Sequence, residues 1–203
     1  MTILLGYGSH GRDIEAIWNR DPLHADEHLD VYDSNFITGA FRIREAPTVA
    51  NGVFIGINKP LERKALYEEY RKWHHHPNPG MGPEYNIVDP TAIVDRDRLG
   101  SGIVVAPNVC MLTDVSVGSH THINYGAQMT RCNIGEFCTI APGVTICGDV
   151  KIGDYTYIGA GATIANLVTI GNRCVVGAGA VVLKDVPDDT TVVGIPAKEI
   201  NRV

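Results

Sequence analysis

The chain has 203 residues, 44% of them hydrophobic and 20% charged, enough for one large domain or two small ones with a packed core. Its 17 basic and 23 acidic residues leave a net charge of −6, which argues against nucleic acid or an anionic membrane as the main partner. No apolar run approaches the roughly 20 residues of a membrane span. The opening MTILLGYGSHGRD lacks the basic start of a signal peptide, so a cytoplasmic protein without membrane insertion is expected.

Residues 2–5 read as a buried strand, followed by Gly6-Tyr7-Gly8-Ser9-His10-Gly11 and then Ile14, Ile17 and Trp18 at helical spacing. A G-x-G-x-x-G between strand and helix lets a phosphate approach the amides of a helix start, although a tight strand-to-helix turn also asks for glycine. A second strand, Leu29 to Tyr32, ends at Asp33-Ser34, near the usual place of an acidic residue that meets a nucleoside. A third, Val53 to Ile57, leads through Asn58 and Lys59 into a helix opened by Pro60, with Leu61, Ala65, Leu66, Tyr70 and Trp73 on its apolar side. This alternation predicts a small Rossmann-like α/β domain over residues 1–77. The stretch 74–84, HHHPNPGMGPE, is a linker. Its three adjacent histidines do not converge on one ion by themselves, so no metal is expected.

From Thr91 onward aliphatic residues recur every six: Ile93, Leu99, Val105, Met111, Val117, Ile123 and Met129, then Ile134, Ile140, Ile146, Ile152, Ile158, Ile164, Ile170, Val176 and Val182. Two residues before most of them stands a small or β-branched residue, as at Thr121, Ala127, Cys138, Val144, Ala162 and Cys174, with Asp97 the clear exception. Such a chain runs as a short strand, turns and repeats, with three hexads closing one triangular coil. A left-handed parallel β-helix of about five coils is therefore expected within a second domain, residues 78–203.

Stacking sorts the outward residues into columns. Val104, His122, Thr139, Tyr157 and Val175 form one, and Cys110, Gln128, Thr145, Thr163 and Val181 the next, both uncharged, while the third holds Arg98 and Lys151. The two uncharged faces predict burial in a symmetric oligomer. Of five cysteines, Cys132, Cys138 and Cys174 fall at inward positions, where a thiol acts as a small hydrophobe, and no disulfide is expected.

Both halves together resemble the sialic acid O-acetyltransferase type of sugar O-acyltransferases, which includes N-acetyltransferases acting on UDP- or GDP-linked 4-amino-sugars. The carriers are GYGSHG, the strand end at Asp33, GINKPLERK, the unbroken hexapeptide run and the closing VVGIPAKEI. The resemblance implies a homotrimeric enzyme of surface-glycan synthesis that moves acetyl from acetyl-CoA, without a metal, to a nucleotide-linked amino-sugar. Sugar O-acetylation and a non-catalytic nucleotide-sugar-binding protein are the alternatives. It further implies that Gly8, Ser9, His10, Gly11, Asp33, Ser34 and Asn58 meet the nucleotide-sugar. Acetyl-CoA would then run along Thr139, Gly148, Gly159, Ala160, Gly177 and Ala178 toward Ile195, Pro196 and Lys198, with Asn124 near the acyl acceptor.

One departure bears on mechanism. The family's segment S-x-I-x-H-D/E-C-x-I-G carries a catalytic His, but this chain reads Ala127-Gln128-Met129-Thr130-Arg131-Cys132-Asn133-Ile134-Gly135. The His is absent, Arg131 stands near its place, and the step from Met129 to Ile134 is five residues. A guanidinium is no base near neutral pH. Three readings stay open: His122 is the relocated base, a neutral acceptor amine needs none, or the protein binds without acylating.

Overall fold

A computed structural model of the chain describes residues 2–5, 9–20, 29–32, 52–73 and 86–200. The first strands, β1 (Thr2–Leu5), β2 (Leu29–Tyr32) and β3 (Gly52–Ile55), form a parallel sheet in the order β2-β1-β3. Helix α1 (Ser9–Trp18) follows β1, and α2 (Pro60–Trp73) follows β3. Gly8, Asp33, Ser34 and the histidines of 74–76 lie outside the described residues.

From Ile87 the chain winds as a parallel β-solenoid of about six turns, more than the five coils expected. Each face is a stack of strands only two or three residues long. Face 1 stacks the strands at Ile87–Val88, Val104–Val105, His122–Ile123, Thr139–Ile140, Tyr157–Ile158, Val175–Val176 and Thr191–Val193. Face 2 stacks Cys110–Met111, Gln128–Met129, Thr145–Ile146, Thr163–Ile164 and Val181–Val182. Face 3 stacks Ser116–Val117, Cys132–Ile134, Val150–Ile152 and Thr169–Ile170. The extra length comes from Ile87–Val88 before the hexapeptide run and Thr191–Val193 after it, neither of which the six-residue period marks.

Alternation along each short strand sends one side chain inward, and the parallel register sets it over its counterpart one coil away, as in Met129↔Ile146↔Ile164. The inward aliphatics from Val105 to Val182 are all buried, and so are Thr121, Ala127, Cys138, Val144, Ala162 and Cys174. Full burial of such a side chain stabilises by roughly 1.5–3 kcal/mol. The series frays at its start, where Ile93 is 61% exposed. Asp97 breaks the pattern because Arg96–Arg98 form a 3-10 turn, capped by Asp95 accepting from the Asp97 amide.

From Gly102 to Gly179 each corner places one residue at positive φ, and these recur every six positions from Phe137 through Gly143, Asp149, Tyr155, Gly161, Leu167 and Arg173 to Gly179. Between Gly126 and Arg131 the step is five. The missing residue is taken out of the corner between faces 2 and 3, so Cys132–Ile134 still pairs in register with Val150–Ile152. The free cysteines include Cys132 and Cys138, whose thiols burial pushes up to about 12, consistent with hydrophobic filler.

Candidate active site

The N-terminal helices sit against face 1. Ile14, Ile17 and Trp18 of α1 pack with Ile87, Val104 and Ala106 in a small second core. Arg20, just past α1, pairs with Asp89 at 2.8 Å, and the Asp89 carboxylate also accepts from the amide and hydroxyl of Thr91. Helix α2 covers the corner between faces 3 and 1. Tyr67 lies 4.2 Å from the ring of His120, which stacks on Phe137, and the Lys64 ammonium sits 4.4 Å over Tyr155.

The buried side of α2 carries Arg63, Leu66, Tyr67 and Tyr70, whereas Leu61 and Ala65, expected to be apolar contacts, are exposed. Arg63 is 1% exposed and has no carboxylate partner among the described residues. Its Nη1 donates to the Ile57 carbonyl at 2.7 Å and the Thr139 hydroxyl at 3.1 Å, and its Nη2 to the carbonyls of Phe137 and Cys138 at 2.8 and 2.6 Å. Burial pulls the guanidinium down to about 9, still above neutral pH. Thr139 in turn donates to the Asn58 carbonyl at 2.6 Å. The Thr139 hydroxyl, expected beside the cofactor, is thus fully buried and used to dock α2 and its leading loop.

Between α1 and face 1 opens a cavity of about 330 Å³. Apolar walls come from Ile14, Ile17 and Pro107, and polar groups from Asp13, Arg20, His122 and Asn124. His122 and Asn124 therefore converge on one space, being adjacent outward positions at the end of one face 1 strand. Asn124 is held there because its side-chain amide donates to the Ile140 carbonyl at 2.9 Å. Its carbonyl oxygen is left as an acceptor for a bound N–H or O–H.

The corner that begins at Asn124 continues upward as a bare edge. Gly126, Gly143, Gly161 and Gly179 stand there at φ of 66–69°, and a Cβ on any of them would meet nothing within 4 Å. Backbone conformation does not demand glycine in this solenoid, since ten non-glycine residues, among them Asn108 of the same column, occupy positive φ. Space inside the chain does not demand it either. A smooth edge of this kind fits an extended thioester ligand held by backbone groups. Exposed Ala160 and Ala178 and half-buried Gly177 border the edge, with exposed Ile195, Pro196 and Lys198 beyond it. Gly159 differs from its neighbours: a Cβ there would lie 2.6 Å from the Ala178 nitrogen, so coil stacking itself requires glycine. The glycines of the edge went unnoticed in the sequence because a corner glycine reads as turn chemistry.

Arg131 and Gly148 lie elsewhere, on the corner between faces 2 and 3. Arg131 pairs with Asp149 through Nε and Nη2 at 3.3 and 3.1 Å, and a Cβ at Gly148 would run into its guanidinium. Arg98, Asp114 and Lys151 border the same shallow cleft. Within one chain Arg131 is not brought to the His122 cavity. Ser9, His10 and Gly11 form the first turn of α1. Among the described residues no cluster of His, Cys, Asp or Glu could hold a metal ion, and no helix is long and apolar enough to cross a membrane.

The model of the bacterial transferase hexapeptide family (six repeats) matches residues 131–166, beginning at the shortened corner. The chain carries the bacterial transferase hexapeptide repeat. Among solved structures, this hexapeptide-repeat protein is similar to perosamine N-acetyltransferase PerB from Caulobacter crescentus in complex with CoA and GDP-perosamine, at 26% identity and a TM-score of 0.82, covering 98% of this chain and 97% of that one. The acetyltransferase domain of PglB from Neisseria gonorrhoeae shares the fold at 22% identity and a TM-score of 0.83, with 98% of each chain covered. A GDP-perosamine N-acetyltransferase of Escherichia coli O157:H7 is 40% identical over 123 residues, 57% of this chain and 56% of the relative. A serine acetyltransferase of Buchnera aphidicola is 33% identical over 196 residues, 95% of this chain. The hexapeptide-repeat chain spans 61% of the length of that relative.

Proposed function

We propose that the protein transfers acetyl from acetyl-CoA to the amino group of a nucleotide-linked amino-sugar, in the cytoplasm, for surface-glycan synthesis. The observation that carries this is the likeness over 98% of the chain to an enzyme whose complex holds CoA and GDP-perosamine. Residues 1–77 are read as a Rossmann-like unit holding the nucleotide-sugar at Gly8, Ser9, His10, Gly11, Asp33, Ser34 and Asn58. Residues 78–203 are read as the left-handed β-helix whose glycine edge carries acetyl-CoA.

In the reaction the acceptor nitrogen attacks the thioester carbonyl, a C–N bond forms, the C–S bond breaks, and the proton lost by nitrogen passes to the departing thiolate or to a base. The Asn124 carbonyl oxygen is placed to accept from the acceptor N–H and so aim its lone pair. An amine that binds neutral needs no protein base, and this accounts for a chain without the family's histidine. A homotrimer suits the two distant corners. Face 2 runs between the edge at Asn124 and the edge at Arg131, so packing face 2 against the next subunit would bring Arg131 and Gly148 of one chain toward the glycine edge of another.

The serine acetyltransferase relatives favour a second reading, O-acetylation, in which a hydroxyl must lose its proton during attack and His122, beside Asn124 in the cavity, is the imidazole placed to take it. Thiol release from acetyl-CoA, measured with GDP- and UDP-linked 4-amino-sugars beside their hydroxy counterparts and L-serine, separates the two. Turnover with an amino-sugar alone is expected. Turnover with a hydroxyl acceptor alone overturns N-acetylation, and none with any acceptor leaves a binding protein.

A further inference from the structure

The loop between β3 and α2 is held from two sides, yet the side-chain oxygen of its Asn58 is not satisfied from within. The Ile57 carbonyl accepts from Arg63 of α2, which itself donates to the solenoid carbonyls of Phe137 and Cys138, and the Asn58 carbonyl accepts from Thr139 of the solenoid. The Asn58 side-chain oxygen, by contrast, is buried and meets no donor among the described residues. An unmet buried acceptor is costly, and a bound ligand is one partner that could supply the donor. Thr139 stands directly beside His122 in the face 1 ladder. The loop is therefore locked to the same strand pair that carries the cavity's polar groups.

We propose that Arg63 is a positioning residue for the acceptor substrate. Its planar fork spans four oxygens, reaching from Ile57 to Cys138, and thereby fixes the loop that carries Asn58 against the strand beside His122. This rests on the reading of the protein as a nucleotide-sugar N-acetyltransferase. Arg63 touches no substrate itself; it acts through the Asn58 loop. Carbonyls distributed over two segments fit this role, because they fix relative position where one carboxylate would anchor only one side.

The test compares the full-length wild type with Arg63→Lys and Thr139→Val, using acetyl-CoA and a GDP-linked 4-amino-sugar. Lysine keeps the charge but offers one nitrogen, which cannot bridge Ile57 and Cys138 together. The expected result is a KM for the amino-sugar raised at least tenfold in Arg63→Lys and several-fold in Thr139→Val, with the KM for acetyl-CoA within about twofold of wild type. A purely structural role would lower the folded fraction, and with it kcat, while leaving both KM values alone. That outcome overturns the proposal, as does an equal rise in both. If Arg63→Lys does not fold, the unchanged amino-sugar KM of Thr139→Val is sufficient to reject it. Should the wild type acetylate no amino-sugar, the underlying reading fails, and the clamp is judged by amide hydrogen exchange instead. Exchange at residues 56–59 accelerated at least tenfold in Arg63→Lys, with 144–182 unchanged, supports it, and unchanged exchange at 56–59 rejects it.

Discussion

His122 and Asn124 face one cavity, yet they are expected to matter unequally. If a neutral amine attacks without a protein base, His122→Ala lowers kcat by less than about tenfold, because a positioned general base contributes roughly 10²–10⁴-fold. Asn124→Ala should cost more, since it removes the fixed acceptor beside the nucleophile. The rate should rise with pH along the amine's own titration and then level off. Loss of turnover in His122→Ala with both ligands still bound would make His122 the base. Arg131 belongs to neither case within a single chain. Its exposed pair with Asp149 fits a corner ladder that replaces a lost turn residue. The five-residue step was legible in the sequence, but the ion pair of Arg131 with Asp149 was not.

At the scale of the coil, two glycines two residues apart do different work. Gly159 lets adjacent coils approach, so Gly159→Ala should destabilise the solenoid by about 1–3 kcal/mol in urea unfolding, with no special effect on ligand. Gly161 faces open space at φ 66°. Asparagine already occupies that column at position 108, so Gly161→Asn should change stability by no more than about 1 kcal/mol while weakening acetyl-CoA at least tenfold. Wild-type affinity in Gly161→Asn would remove the glycine edge from the cofactor track. Here the period showed which residues point inward, because burial repeats with the strand. It was silent on which turn glycines serve packing and which leave room for something else.

For the whole molecule, the two uncharged faces part company. Both were expected to be buried in an oligomer, but face 1 is largely covered by the chain's own α1 and α2. Face 2 stays open, with Gln128 and Thr145 exposed and Leu112 and Leu183 each 56% exposed at its border. In the proposed homotrimer, that face is the one expected to be buried. Light scattering at micromolar concentration should give a mass near three chains, and Thr145→Lys, which puts a charge at the centre of face 2, should shift it toward one. A wild-type monomer, or a trimer indifferent to Thr145→Lys, would sink this assignment.

Periodicity alone determined the solenoid: a six-residue repeat of aliphatics has one economical way to bury them, and the inward and outward columns follow from counting. The boundaries of β1, β2 and α2 and the apolar stripe of α1 were equally legible, since each depends on neighbours in the chain. Tertiary structure decided what those columns touch. Arg63 reads as one more surface cation on α2, because its carbonyl partners at Phe137 and Cys138 are more than seventy residues away. Thr139 reads as a candidate ligand contact for the same reason, and only the packing of α2 and its leading loop over face 1 gives its outward hydroxyl the Asn58 carbonyl as partner. Local pattern encodes which side of an element avoids water. Which partner meets that side is set by long-range contacts that leave no period in the sequence.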